Sequence, residues 1–406
     1  MPNHTPSSIN TRPEEIGLSV LGRPILVHYH GSPEAPLRLF FLCGQHGDER
    51  AIHRAAQLFS QSLHDSPELL GDLLQVAIIT SANPDGLALR SRLNDQGVDL
   101  NRDHLHLRTP ETQAIHRFVA QWRPHLTIDM HNFPSRRLHL LARGLRLAWD
   151  LCIDFPTNPA IPVRDGHPLF ASLAQALELR LTEAGFRYGR YTMVEPNGSS
   201  RHGTPQLLDA RNVLSLRYGS PVVLLEARNP SKRNAPHDHR HIRQATLLAC
   251  HELLRWATNH AETLLTLQSH PPTPSRVPIR SRRRIAPQPL NVPVVSLSHG
   301  QTQLLPCNPH RPLVEGRRSV SLPLAYAVPN SETGVLDLLR RQGLSLTTPS
   351  PSPGFQLVPV TPATGPLLAL LLEAKSNFSP YRRSPLRDPI RRITSFTDSQ
   401  SIEALS

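Results

Sequence analysis

The sequence predicts an α/β protein with a mixed, largely parallel central sheet, helices on both faces of that sheet, and a small C-terminal accessory module. Over residues 14–262, apolar runs of strand length alternate with longer runs of helical periodicity, which is typical of parallel strands connected by helices. Near His270 the composition changes to proline and arginine, which indicates a linker between two parts of the chain.

The first region contains the runs that we expect to build this sheet and its helices. The predicted strands are short and rich in aliphatic or aromatic residues, and they cover 37–43, 75–79, 126–130 and 222–225. The predicted helices cover 49–63, 110–119, 171–184 and 243–258. Right-handed crossovers would connect the parallel strands.

Composition divides the chain into four segments. We expect a main domain at 14–262, a Pro/Arg-rich linker at 263–286, the accessory module at 287–375 and a disordered tail at 376–406. Within the module, 293–297 and 322–328 are predicted as strands and 335–342 as a short helix.

Charge and cysteine content limit the possible partners and compartments. Most of the net charge of +12 lies after Gln268, which suits either a solvated linker or attraction to acidic partners. This part of the sequence lacks interleaved aromatic residues and any known nucleic-acid-binding motif, so nucleic acid is not an expected partner. The four cysteines are widely spaced, which argues against a disulfide framework. Without a signal-peptide core or a long apolar run, we expect a soluble cytoplasmic protein with no membrane span.

The first candidate site is the run from Gly44 to Glu49, at the predicted end of a strand and start of a helix. In α/β sheets, sites lie at the carboxyl ends of parallel strands. His46 and Glu49 are three residues apart, and an imidazole nitrogen with a carboxylate oxygen suits zinc. The alternative is that these residues are a helix cap and a surface charge.

A second candidate, His131, follows the buried strand at 126–130. By itself it could be a satisfied core histidine, but two histidines and one glutamate form a catalytic zinc set with an open fourth position. Asp129 lies two residues earlier and would support a ligand by hydrogen bonding.

Glu226 stands in a strongly apolar run, where burial of an unpaired carboxylate is costly. Burial raises the pKa of such a group and thereby suits it to act as a general base near neutral pH. The alternative is an ion pair with Arg228, because residues two apart share a strand face.

Polar residues between these positions are candidates for binding substrate. Residues 83–86, Asn-Pro-Asp-Gly, predict a turn. They are followed by Arg90, Arg92, Asn101 and Arg102. Arginine offers a forked donor pair that matches a carboxylate, as an enzyme that acts at free chain ends requires.

In this order, the motifs resemble those of the zinc carboxypeptidase (metallocarboxypeptidase) family and its succinylglutamate desuccinylase/aspartoacylase-like relatives. The resemblance covers roughly residues 17–259, and residues 322–343 resemble, less specifically, an accessory region of bacterial members. It implies that one Zn²⁺ ion is bound by His46, Glu49 and His131. It also implies that Glu226 is the general base and later the proton donor.

The resemblance implies three further roles. Arg92 would polarise the scissile carbonyl, with Arg90 as a rival for that role, and Asn101 and Arg102 would hold the terminal carboxylate of the substrate. The expected function is therefore zinc-dependent hydrolysis of a C-terminal peptide bond. Its partner would be a peptide.

One departure keeps an alternative open. Many members carry a tyrosine in a loop before the catalytic glutamate, whereas residues 198–203 contain none, and His202 is a possible substitute. The alternative function is therefore a zinc amidohydrolase that acts on N-acyl amino acids. Arg211, like Arg217, falls where the family shapes its side-chain pocket and would favour an acidic residue there, unless it is only surface charge.

Overall fold

The computed structural model describes residues 13–230, 235–272, 274–347, 354–381, 390–394 and 402–404. Its strands are β1 Glu14–Leu18, β2 Pro24–His30, β3 Leu37–Cys43, β4 Leu74–Ile79, β5 Leu126–Phe133, β6 Leu145–Leu147, β7 Leu151–Asp154, β8 Tyr188–Arg190, β9 Thr192–Val194, β10 Ser200–His202, β11 Val222–Arg228, β12 Arg276–Arg283, β13 Leu290–Ser296, β14 Thr302–Cys307, β15 His310–Arg311, β16 Val314–Ser321, β17 Ala325–Pro329, β18 Phe355–Pro359, β19 Arg391–Ile393 and β20 Ile402–Ala404.

The helices are fewer and connect these strands. They are α1 Arg50–Asp65, α2 Pro84–Leu89, α3 Pro110–Trp122, α4 Leu138–Leu141, α5 Pro168–Glu183, α6 Ala210–Tyr218, α7 Ala235–Asn259, α8 Ala261–Ser269, α9 Thr333–Arg341 and α10 Gly365–Leu372. Two short 3₁₀ helices lie at Pro67–Leu69 and Leu100–Arg102.

The main sheet has eight strands in the order β1-β2-β4-β3-β5-β11-β7-β8. Its centre, β4-β3-β5-β11, is parallel, while β2 and β7 run antiparallel to their neighbours in this centre. The central strands are buried on both faces, as their nearly continuous apolar sequence requires. The predicted fold class is therefore confirmed.

Each face of the sheet is covered by its own set of helices. On one face, Leu39 and Phe41 of β3 share a core with α1, α5, α7 and α8. On the other face, Phe40 and Leu42 share a core with α3 and α6. This alternation follows from the period of two residues along a strand.

The turn predicted at residues 83–86 is instead the start of helix α2. The Asn83 side chain accepts a hydrogen bond from the Gly86 amide at 2.8 Å, which makes Asn83 the N-cap. Pro84 then occupies the first helical position, where its missing N–H has no helical partner to lose. The same residue types thus favour a turn and a helix start.

The C-terminal part is joined to the main domain more closely than a linker and a separate module would be. Strand β13 pairs with β6 of the main domain, and β15 pairs with β10. One apolar core combines Leu105 and Val213 of the main domain with Val328, Leu339 and Leu368. The two parts are therefore packed as one hydrophobic unit.

Two of the expected segment types differ from the structure. The segment 263–286, expected as a linker, contains most of α8 and all of β12. Strands β19 and β20, within the tail expected to be disordered, join the sheet β18-β17-β19-β20. Residues 382–389, 395–401 and 405–406 of that tail lie outside the described residues. Among the described helices, none combines the length and the apolarity needed to cross a bilayer.

The shared core predicts that the two parts unfold together. Leu339 is fully buried in it, so Leu339→Ala should lower the free energy of unfolding by about 2–5 kcal/mol. The matched control Leu304→Ala, at a side chain that is 64% exposed, should change it by less than about 0.5 kcal/mol. Urea unfolding followed by circular dichroism would measure both values. Two separate transitions, only one of them shifted by Leu339→Ala, would contradict a shared core.

Candidate metal centre and substrate cavity

Backbone constraints between β3 and α1 place His46 and Glu49. After β3, Gly44 has a φ of +73°, which glycine adopts without strain. At Gly47, an added Cβ would lie 1.9 Å from the carbonyl carbon of Gly86, so only glycine allows these two loops to touch. The chain then enters α1 with Glu49 at the N-cap position. His46 and Glu49 therefore lie above the carboxyl end of β3, as predicted.

His131 and Glu226 come from the two neighbouring strands β5 and β11. The register pairs Glu226 directly with His131 and Leu224 with Asp129. Directly paired residues of adjacent strands project to the same face, and so do residues two apart on one strand. The sheet itself thus places both acidic residues and the histidine on one face, at its carboxyl edge.

Three of the predicted residues converge. His46 Nδ1 lies 2.8 Å from Glu49 Oε1, His131 Nδ1 lies 3.2 Å from Glu49 Oε2, and the two Nδ1 atoms are 3.1 Å apart. All three side chains are buried, and their ligand atoms lie within 4.8 Å of one another. No other cluster of this kind occurs among the described residues.

Asn132 joins the structural elements that meet at this cluster. Its amide N–H donates to Glu49 Oε2 at 3.0 Å, and its side-chain oxygen accepts from the Ile52 amide at 3.1 Å. Its side-chain nitrogen donates to the Ala227 carbonyl at 3.1 Å. One side chain therefore joins β5, β11 and the first turn of α1.

Carboxylates bind the outer nitrogens of both histidines. His46 Nε2 lies 3.0 Å from Asp99 Oδ1, and His131 Nε2 lies 2.9 Å from Asp129 Oδ1. Such contacts place the proton on Nε2 and leave the Nδ1 lone pair directed inward. Asp129 has the supporting position that its spacing suggested, whereas Asp99 was not predicted to have a role of its own.

These carboxylates also set the proton affinity of the cluster. Burial lowers the pKa of His131, but Asp129 and Glu49 outweigh burial and raise that pKa well above its usual value. Burial raises the pKa of Glu49, but the two histidines outweigh it and lower that pKa to about 2. The negative charge at the centre therefore attracts a cation.

The donor set fits zinc. Two imidazole nitrogens and one carboxylate match its ligand preference, and tetrahedral coordination at about 2.05 Å implies nitrogens about 3.3 Å apart. The observed Nδ1–Nδ1 distance of 3.1 Å is close to that value. A shared zinc ion would offset the repulsion between two lone pairs this close together beside a carboxylate.

Glu226 is buried beside this cluster. Its Oε2 atom has no hydrogen-bond partner among the described residues. Burial raises the pKa of Glu226 to about 7, and the charge of Glu49 adds to the rise against the lowering effect of His131. The alternative ion pair does not form, because Arg228 pairs with Asp150 and Asp238 instead.

The arginines differ in their access to the cluster. Arg92 Nη1 lies 3.3 Å from His46 Nδ1, and its guanidinium pairs with Asp99 at 3.0 Å. Arg102 is exposed at the rim, where it donates to the Asn101 carbonyl. Arg90 is exposed, caps α2 in the left-handed conformation and does not line the cavity.

Asn101 and Arg211 are already engaged by the protein. Asn101 Nδ2 lies 3.0 Å from His131 Nε2, and its Oδ1 accepts from the Ala210 amide at 2.9 Å. Arg211 is buried at the cavity wall and pairs with Asp154 and Asp209. Arg211 is therefore not surface charge, although two carboxylates already neutralise it.

A cavity of about 330 Å³ joins these groups and contains a tyrosine that sequence analysis missed. Tyr191 lines it, and its hydroxyl lies 3.4 Å from Arg137 Nη2. Partial burial raises the pKa of its phenol, as does the nearby Glu226 charge. His202, the expected substitute, lies outside the lining residues. Because Tyr191 comes from the start of β9 rather than from residues 198–203, its position in the sequence gave no signal.

The Asp99 contact predicts a measurable effect on metal affinity. Asp99→Asn keeps the shape of the side chain but removes its charge, so zinc affinity should fall about 10–100-fold. Asp95→Asn changes an exposed carboxylate in the same loop and should leave affinity unchanged. Competition with a chromogenic zinc chelator would measure both. Equal zinc affinities in the two variants would show that the Asp99 carboxylate does not support metal binding.

Solved structures with a partly similar backbone include a carboxypeptidase and an amidase. A metallo-carboxypeptidase from Pseudomonas aeruginosa aligns over 61% of this chain and 66% of its own, at 18% identity and a TM-score of 0.46. Murein-tripeptide amidase MpaA of Escherichia coli O157 aligns over 63% of this chain and 97% of its own, at 20% identity and a TM-score of 0.40.

Sequence comparison finds similarity to zinc carboxypeptidases over part of the chain. Residues 5–138 match the model described as zinc carboxypeptidase. Carboxypeptidase 2 of Trichophyton rubrum is 31% identical over 168 residues, which cover 41% of this chain and 31% of that protein. Murein peptide amidase A of Vibrio campbellii is 34% identical over 116 residues, which cover 29% of this chain and 42% of that protein. The chain spans about a third of the length of the curated carboxypeptidases that it matches. The predicted resemblance is confirmed: the chain is similar to the zinc carboxypeptidases over a segment that contains His46, Glu49 and His131.

Proposed function

We propose that this protein is a zinc-dependent metallocarboxypeptidase that hydrolyses a C-terminal peptide bond. The observation that supports this most directly is the buried carboxylate of Glu226 beside the cluster of His46, Glu49 and His131, with an Oε2 atom that has no hydrogen-bond partner among the described residues. A binding protein would gain nothing from such a costly group, whereas a hydrolase needs a base at this position.

The roles of the residues follow from their places around the cluster. His46, Glu49 and His131 would hold the ion, and a zinc ion so bound polarises a carbonyl and makes a bound water more acidic. Glu226 takes the proton from the attacking water and returns it to the leaving amine. Its burial favours the neutral form, which makes the second transfer accessible.

Arg92 is the candidate for stabilising the charge that develops on the carbonyl oxygen. Its guanidinium reaches the cluster, being 3.7 Å from Glu49 and 3.3 Å from His46. A cation fixed at this point stabilises an oxyanion more than a neutral carbonyl, which is the requirement for catalysis. Arg90 is exposed outside the cavity lining and does not meet this requirement.

Arg102 is the main candidate for holding the terminal carboxylate of the substrate. It is exposed at the cavity and forms no ion pair among the described residues, so its forked donors are available. Asn101 lines the same cavity beside Arg102, and its side-chain NH₂ group is a second candidate donor to that carboxylate.

The second candidate function is hydrolysis of N-acyl amino acids. Such a substrate also presents a free carboxylate and an amide carbonyl, so Arg102 and the cluster fit both functions. Two observations keep this alternative open: the absence of tyrosine in residues 198–203 and the similarity to a protein named murein peptide amidase. Comparing turnover of C-terminal peptides, murein peptides and N-acyl amino acids by the purified protein would separate these substrate classes.

Glu226→Gln tests the proposed base. The variant should keep one zinc ion per chain, because Glu226 is not in the ligand set, and should lose about 10²–10⁴-fold in kcat. Elemental analysis and steady-state kinetics on one preparation would measure both values. Glu68→Gln, at an exposed position, is the matched control. Full activity of Glu226→Gln would refute the assignment.

Arg102→Met tests recognition of the chain end. Losing a charge-assisted contact of about 1.5–3 kcal/mol should lower kcat/KM about 10–100-fold for a peptide with a free carboxyl terminus. The C-terminally amidated peptide should lose little, because it lacks the carboxylate. Arg90→Met should leave both rates unchanged. If Arg102→Met slowed both peptides equally, Arg102 would have another role.

A further inference from the structure

The loop at residues 198–204 forms one wall of the cavity. Arg201, Gly203 and Thr204 line the cavity opposite the metal cluster. An added Cβ at Gly203 would lie 2.9 Å from Arg211 Nη2 and 2.9 Å from Asp154 Oδ2. The wall therefore rests directly on the buried Asp154–Arg211 pair, and a small displacement of Gly203 would change the shape of the cavity.

This wall is tied to the C-terminal part of the chain by its backbone. Strand β10, within the loop, pairs with β9 on one side and with β15 on the other. The Ser200 amide donates to the Pro309 carbonyl at 3.1 Å, and the Asn308 amide donates to the Gly198 carbonyl at 2.9 Å. The Ser200 hydroxyl lies 2.9 Å from His310 Nδ1.

Arg283 of β12 completes the attachment. Its Nη1 donates to the His202 carbonyl at 2.8 Å, and its Nη2 donates to the Gly203 carbonyl. Arg201 Nη1 donates to the same Gly203 carbonyl at 2.8 Å. Two guanidinium groups thus converge on the peptide that forms the wall.

The electrostatic setting of Arg283 is unusual for a residue that only stabilises the fold. Among the described residues it forms no ion pair. Arg201, Arg311 and Arg211 lie near enough to disfavour its charge, whereas Asp154 lies near enough to favour it. Burial, followed by Arg201, lowers its pKa to about 10, so it stays charged at neutral pH. Its neighbours on either side, Arg282 and Arg284, are exposed and pair with Glu315.

We propose that Arg283 is a positioning residue of the active site, and that through it the C-terminal part sets the shape of the substrate cavity. The inference rests on the proposed function for its kinetic consequence only. It assigns to the basic C-terminal third a role in substrate binding, next to the contacts that the main domain itself makes with this loop.

Arg283→Met in the full-length protein tests this proposal in two independent ways. Amide hydrogen exchange in residues 198–204 should become at least about 10-fold faster, because the local opening free energy falls when two carbonyl bonds are lost. For a C-terminal peptide, KM should rise about 10-fold while kcat changes less than about 2-fold, because zinc and Glu226 are untouched. Arg282→Met is the matched control and should change neither quantity.

Arg283→Lys keeps the charge but loses the two-pronged guanidinium donor, so its amide exchange rate and KM should lie between those of wild type and Arg283→Met. It also keeps the proposal testable if Arg283→Met does not fold. Unchanged exchange and unchanged KM in Arg283→Met would overturn the proposal, as would an equal effect of Arg282→Met. If wild-type protein hydrolysed no substrate, the proposed function would fail, while the exchange measurement would still decide the role of Arg283.

Discussion

The structure depends on the close approach of two histidine nitrogens and one carboxylate in a site with little access to water. His46 and His131 direct their Nδ1 atoms at each other at 3.1 Å, with both oxygens of Glu49 beside them. A bound cation stabilises such an arrangement, because unpaired lone pairs and buried negative charge are costly. Asp99 and Asp129 add to the negative charge from the outer side. The residues around this cluster hold the two Nδ1 atoms and the Glu49 carboxylate at these short distances.

The polar surroundings of the cluster extend far into the protein. Gln45 donates to Asp129 at 2.7 Å and lies 2.7 Å from His104 Nε2, whose other nitrogen is 3.1 Å from His116. Burial lowers the pKa of His104 to about 4, so this ring is neutral at physiological pH. A chain of neutral partners can therefore orient Asp129 without adding positive charge that would compete with the ion.

Sequence reasoning succeeded where position along a strand determines position in space. The ends of β3, β5 and β11 meet at one edge of the sheet, so the apolar runs place His46, His131 and Glu226 near that edge, and the family resemblance implies that they form one site. Sequence reasoning failed where the same residue types are common in two kinds of secondary structure. Residues 83–86 contain turn residues that are also cap residues, and the composition of residues 276–283 suggested a linker although they form β12.

Contacts between distant segments gave no signal in the sequence. Tyr191 reaches the cavity because β9 pairs with β10, and Arg283 reaches the loop because β12 passes beside it. Neither contact has a sequence motif, and the contact of Arg283 also depends on how the C-terminal part packs against the main domain. The pairing of Arg211 with Asp154 and Asp209 likewise required the fold, which alone brings these three residues together.

The coordination of the bound ion is the most direct test of the account. A crystal structure of zinc-loaded protein, with anomalous data collected at the zinc edge, would locate the ion and its ligands. The account predicts one ion bound by Nδ1 of His46, Nδ1 of His131 and the carboxylate of Glu49, with Glu226 close by but not bound. An ion at another place, or bound through the Nε2 atoms that contact Asp99 and Asp129, would contradict it.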